Sequence, residues 1–101
     1  MSPAPFPDRE LSMMRDVFRR HPQVTAAILF GSRAKGTHTE RSDVDLAVMG
    51  DVTPLEAEAI AGDLEELPLP YRFEVQPVAR ITYRPLQDHI ARVGLCIYRG
   101  A

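Results

Sequence analysis

The stretch Ile28-Leu29-Phe30-Gly31-Ser32-Arg33-Ala34-Lys35-Gly36 ends an apolar run in a Gly-Ser pair. After a polar excursion, Ser42-Asp43-Val44-Asp45-Leu46-Ala47-Val48 opens a second apolar run with two alternating carboxylates. Ten residues lie between Ser32 and Asp43. This spacing predicts a strand, a tight turn into a short helix, a polar loop, and a second strand that begins at the aspartates. Backbone N–H groups at such a turn suit phosphate, and paired carboxylates suit a hard cation such as Mg²⁺. Together they describe a site for a metal-bound nucleoside triphosphate.

On a strand, Asp43 and Asp45 emerge on the same face, roughly 6–7 Å apart. Two metal ions in a phosphoryl-transfer site sit about 3.5–4 Å apart, a span that two such carboxylates can bridge. Val44, Leu46 and Val48 then point to the opposite face and pack inward. A lone Asp-x-Asp is also ordinary loop chemistry, so the weight comes from its spacing to Gly31-Ser32. Gly31 lets the backbone approach a phosphate closely, and Ser32 adds a hydroxyl and an N–H. Arg33 and Lys35 are loop cations able to meet phosphate oxygens, and Ser42 adjoins the acids. A glycine turn with a serine cap and two solvated cations would read the same way. No Gly-Lys-Ser/Thr follows, so the loop is not a Walker A motif.

Working outward, Leu11, Met14, Val17 and Phe18 recur at helical spacing from about Asp8 to Arg20. Pro22 closes that helix. Val24 to Phe30 is an almost unbroken apolar run, the pattern of a strand buried on both faces. Beyond the second strand, Thr53-Pro54-Leu55-Glu56 forms a capping box with proline at the first helical position. The helix behind it buries Ala57, Ile60, Ala61, Leu64 and Leu67. Glu56, Glu58, Asp63, Glu65 and Glu66 lie on its other face, where Pro68 and Pro70 end it. Tyr71 to Val78 reads as a third strand, Tyr83 to Val93 as a helix, and Leu95 to Tyr98 as a fourth strand. This order predicts an α/β or α+β fold with a mixed sheet of about four strands packed with helices.

Glu74 is the only acid in the third strand. A charge there is costly unless it is paired, metal-bound or on an exposed edge, and the pattern leaves those alternatives open. His21, His38 and His89 are far apart and match no zinc spacing. The lone cysteine, Cys96, sits among apolar residues and reads as a buried small hydrophobe.

At 101 residues, 45% hydrophobic and 26% charged, the chain reads as one domain over residues 1–101. Residues 1–7, rich in proline, are expected to form a flexible lead-in. A net charge of −2 gives no general pull toward duplex nucleic acid or anionic membrane. No apolar run approaches ~20 residues, so neither signal peptide nor membrane span is expected, and a cytoplasmic setting fits.

Gly31 to Asp45, written G-S-x10-D-x-D, resembles the signature of the DNA polymerase beta-like nucleotidyltransferase superfamily, and the short chain points to its minimal nucleotidyltransferase branch. The resemblance runs over roughly Val24 to Tyr98. It implies the polymerase beta-like fold, with Gly31 and Ser32 holding the triphosphate of ATP and Asp43 and Asp45 binding Mg²⁺. A third acid on the next core strand, usually Asp, supports deprotonation of the attacking hydroxyl. The matching position is Glu74, one methylene longer. The resemblance further implies two Mg²⁺ ions, in-line attack at the α-phosphorus and loss of pyrophosphate. Minimal nucleotidyltransferases are often paired with a HEPN protein as antitoxin and toxin, and some transfer AMP to a tyrosine of that partner. Neutralisation of the partner by binding alone and nucleotidyl transfer to a small molecule are the alternatives. A homo-oligomer is left open.

Overall fold

The computed structural model describes residues 5–36 and 43–100. Helix α1 (Asp8–Arg19) leads to strand β1 (Val24–Phe30), the short helix α2 (Ser32–Lys35) and strand β2 (Val44–Gly50). Helix α3 (Pro54–Glu65), strand β3 (Phe73–Pro77), a 3-10 turn (Val78–Arg80), helix α4 (Arg84–Val93) and strand β4 (Leu95–Arg99) complete the order. The sheet runs β3-β2-β1-β4. β1 pairs antiparallel with β2 and β4, while β2 pairs parallel with β3. The fold is therefore α+β with a mixed four-stranded sheet, and the apolar run Val24–Phe30 occupies its centre.

One sheet face carries the main core. Ala27 and Leu29 from β1 and Val44, Leu46 and Val48 from β2 lie there, all fully buried. Leu11, Met14, Val17 and Phe18 of α1 and Ala57, Ile60 and Leu64 of α3 seal them. The capping box forms as the sequence predicts: Glu56 N–H donates to Thr53 Oγ1, and Thr53 N–H donates to the Glu56 carboxylate. Each satisfies an N–H that the first helical turn cannot.

The other face is sparsely covered. Phe30, Ala47 and Ile81 form a small cluster, with Ile28, Val78, Leu86 and Ile90 packed partly against it. No residue of α4 is fully buried.

Several expectations change. The third strand is shorter than 71–78: it starts only at Phe73, and Val78 already belongs to the 3-10 turn. Phe6 anchors what was expected to be a free lead-in: it is buried and meets Tyr71 edge-on, ring centroids 5.4 Å apart. Cys96 is exposed rather than buried. It sits on an edge strand, and alternation turns Ile97 into the core and Cys96 away from it. Among the described residues, no helix is long and apolar enough to cross a membrane.

Candidate active site

The acids converge through register. β1 ends where β2 begins, so Phe30 pairs with Asp45. β3 starts at the same end, so Asp45 pairs with Glu74. Paired residues on neighbouring strands project to the same face, with backbones about 4.8 Å apart. That face is the sparsely covered one. Asp43 precedes β2 by one residue and is exposed, Asp45 is half-buried, and Glu74 is exposed on the edge strand. Glu74 is thus both an edge residue and the cross-strand neighbour of Asp45.

The carboxyl group of Asp45 is held above the usual carboxylate range. Partial burial is the largest cause, followed by the charges of Glu74 and then Asp43. The charges of Glu74 and Asp43 at Asp45 concentrate negative potential, which a cation would relieve. Among the described residues, no three His, Cys, Asp or Glu side chains close into a metal-holding cluster. The donor set is nevertheless hard oxygen throughout, the chemistry that Mg²⁺ takes, and the mutual repulsion at Asp45 fits a bound cation.

Gly31 faces these acids. Its φ of +79° and ψ of −157° lie in a region essentially restricted to glycine. A Cβ at this position would stand 2.3 Å from Asp45 Oδ2. The glycine is needed on both counts, and its absent side chain is what lets the turn lie against the carboxylate. Ser32 follows as the first residue of α2, half-buried, and Gly36 closes the helix with φ of +80°.

The loop cations divide. Lys35 is exposed at the end of α2. Arg33 is instead 5% exposed. Its guanidinium carbon lies 4.7 Å from the Tyr71 ring centroid and 5.8 Å from that of Phe6. Tyr71 in turn donates its hydroxyl to Glu10. Burial, then the hydrogen bond and charge of Glu10, raise the Tyr71 pKa, with Arg33 opposing. In this structure Arg33 packs α2 against the N-terminal segment and Tyr71, which in turn bonds α1 through Glu10, a different geometry from that of a solvent-facing phosphate ligand. Ser42 and His38 lie outside the described residues.

Sequence reasoning passed over one residue. His89 on α4 accepts the Gly31 N–H at Nε2, 3.0 Å away. Its spacing to the other histidines tests it only as a zinc ligand. The available signal was the stripe Leu86, His89, Ile90 and Val93, spaced i, i+3, i+4, i+7, in which one polar residue interrupts an apolar helix face.

The acidic face of α3 is largely engaged within the molecule. Gln23 donates to Glu56, His21 Nε2 lies 2.8 Å from an Asp63 oxygen, and Phe73 N–H donates to Glu65.

The family described as Polymerase beta, Nucleotidyltransferase matches residues 13–100. No curated protein sequence matches the chain. Among solved structures, the fold is similar to a chain in a toxin–antitoxin crystal structure with AMP-PNP, at 21% identity and TM-score 0.73, covering 90% of this chain and 73% of that one. It is also similar to a chain in the complex of a tri-AMPylated HEPN toxin from Shewanella oneidensis with an MNT antitoxin. There the identity is 17% and the TM-score 0.69, with 92% and 71% of the two chains covered. A chain of the MntA–HepT toxin–antitoxin complex matches at 17% identity and TM-score 0.68, over 94% of this chain and 74% of that one. With the family match spanning nearly the whole sequence and an acid-lined glycine turn at its centre, this chain belongs to the polymerase beta nucleotidyltransferase family.

Proposed function

We propose that this protein is a Mg²⁺-dependent adenylyltransferase that moves AMP from ATP to a tyrosine hydroxyl of a HEPN-type toxin, and so acts as its antitoxin. A cytoplasmic setting belongs to the same proposal. The supporting observation is the pairing of Asp45 with Glu74 directly against the open side of Gly31. Family membership and the fold likeness to chains in complexes with AMP-PNP and an AMPylated HEPN toxin add to it.

In this reading Gly31 and Ser32 receive the triphosphate, with Lys35 and Ser42 as further contacts. Arg33 serves by holding α2 in place. Asp43 and Asp45 would hold Mg²⁺, with Glu74 beside them. A bound divalent cation supplies neutralisation of phosphate charge and acidifies a nearby hydroxyl. Glu74, exposed and one strand over, takes the proton of the acceptor hydroxyl. The acceptor oxygen then bonds to the α-phosphorus as the α–β bridging P–O bond breaks, and pyrophosphate leaves with that electron pair.

The test is incubation of the chain with a cognate HEPN protein, ATP and Mg²⁺, read by intact mass. Gain of one AMP unit by the partner, lost with Asp43→Ala, is the expected result. A second reading, neutralisation by binding alone, is favoured by one observation: among the described residues the acids do not close into a metal-holding group. Full neutralisation by Asp43→Ala, with no mass gain from the native protein, would establish it instead.

A further inference from the structure

The N–H of Gly31 precedes α2, so it lies outside that helix's hydrogen-bond ladder and needs an acceptor from elsewhere. The acceptor is His89, 58 residues away on α4. Its ring is further fixed by Phe30, edge-on with centroids 6.2 Å apart at 80°. Phe30 is also the residue immediately before Gly31 and the register partner of Asp45. One imidazole therefore touches both residues that set the direction of the turn.

We propose that His89 is a positioning residue for the nucleotide-binding turn. By accepting the Gly31 N–H, it holds the backbone in its glycine-only conformation against Asp45. Acceptance at Nε2 places the ring proton on Nδ1, so the neutral imidazole in that tautomer forms the clamp. A glycine has more backbone freedom to lose than any other residue. Without the clamp the turn samples conformations that cannot meet both a phosphate and the acids. The clamp also makes α4 part of the site, although the helix lies only lightly on the sheet.

The consequence for ligand binding rests on the nucleotide reading above, so the experiment separates the two. AMP-PNP binding with Mg²⁺ is measured by calorimetry on the full chain, alongside amide hydrogen exchange at Gly31. His89→Gln keeps an acceptor but loses the ring, whereas His89→Phe keeps a ring against Phe30 but loses the acceptor. His89→Leu is a second acceptor-free variant should the phenylalanine disturb folding. Affinity is expected to stay within about threefold of native for His89→Gln. It is expected to fall about tenfold for the acceptor-free variants, as loss of one hydrogen bond implies. Gly31 exchange is expected to accelerate only in the acceptor-free variants.

Native affinity and native Gly31 exchange in His89→Phe or His89→Leu would overturn the proposal. Equal impairment of His89→Gln and His89→Phe would also overturn it, since that outcome assigns the effect to shape rather than acceptance. Should the native protein fail to bind AMP-PNP, the nucleotide reading falls, while the exchange comparison still decides whether His89 clamps the turn.

Discussion

Asp45 and Leu46 are neighbours in the chain and lie on opposite faces of the same strand. Leu46 is fully buried in the core built by α1 and α3. Asp45 looks out on the face that α4 covers only in part. One side of β2 is sealed by apolar packing, which holds the strand rigid. The other side is left open at the end where acids and a glycine turn meet. A small domain can tolerate charge repulsion at Asp45 because the opposite side of the same strand supplies the stabilisation.

The largest expected effect breaks that division at the acid. Asp45→Asn should lower AMP transfer by ~10³-fold or more, on the scale of losing a preorganised electrostatic group. Its effect on stability should have the opposite sign. Because the folded pKa of Asp45 is raised, the folded state binds that proton more tightly than the unfolded chain does. Native stability therefore falls as pH rises from the ordinary carboxylate value through the raised one. Thermal unfolding followed across this interval should show the native protein losing ground to Asp45→Asn. Above the interval the variant should be the more stable. Mg²⁺ should raise the native midpoint and leave that of the variant unchanged.

Next comes the neighbour on the sealed side. Leu46→Ala should cost about 2–5 kcal/mol in denaturant unfolding, through lost burial and the cavity left behind. At temperatures where the variant stays folded, nucleotide binding should be close to native. If Leu46→Ala impaired binding as severely as Asp45→Asn, the two sides of β2 would not be separable.

Much of this arrangement was legible in the sequence because it rests on short periods and local chemistry. The alternation of Val44, Leu46 and Val48 put Asp45 on the opposite face. The Thr53–Glu56 capping box fixed the start of α3, and the apolar run Val24–Phe30 identified the central strand. What escaped were long-range choices. Nothing local says that Arg33 will turn under Tyr71 rather than outward, or that Phe6 will leave the Pro-rich lead-in for the core. Cys96 misled because apolar neighbours do not reveal that a strand lies at a sheet edge. Glu74 was ambiguous for the same reason, since its two readings describe one edge position seen alone or beside Asp45. The partners of the α3 acids, Gln23, His21 and the Phe73 N–H, all come from outside the helix, so its own periodicity does not reveal them.

Gly31→Ala tests the join between turn and acid, with a smaller expected effect. The added methyl group would fall 2.3 Å from Asp45 Oδ2, and the backbone would be held where alanine is strained. A stability loss of about 1–3 kcal/mol follows from the backbone conformation. The side chain of Asp45 must also swing away, so nucleotide affinity should drop as well. In an Asp45→Ala background the steric part disappears. The double variant should therefore lose less stability than the two single changes added together.

The smallest effect belongs to the lightly packed face and sharpens the comparison most. Ile90 on α4 is only half-buried, whereas Leu64 on α3 is fully buried in the main core. Ile90→Ala should cost about 1 kcal/mol, at or below the bottom of the range for core truncations, and Leu64→Ala several times more. Their effects on nucleotide binding should rank in reverse. Ile90 is adjacent to His89, so loosening this turn of α4 relaxes the hydrogen bond on Gly31. Leu64 has no such connection to the glycine turn. Calorimetric binding of AMP-PNP, measured beside urea unfolding for both variants, should show stability tracking the sealed face and affinity tracking the open one.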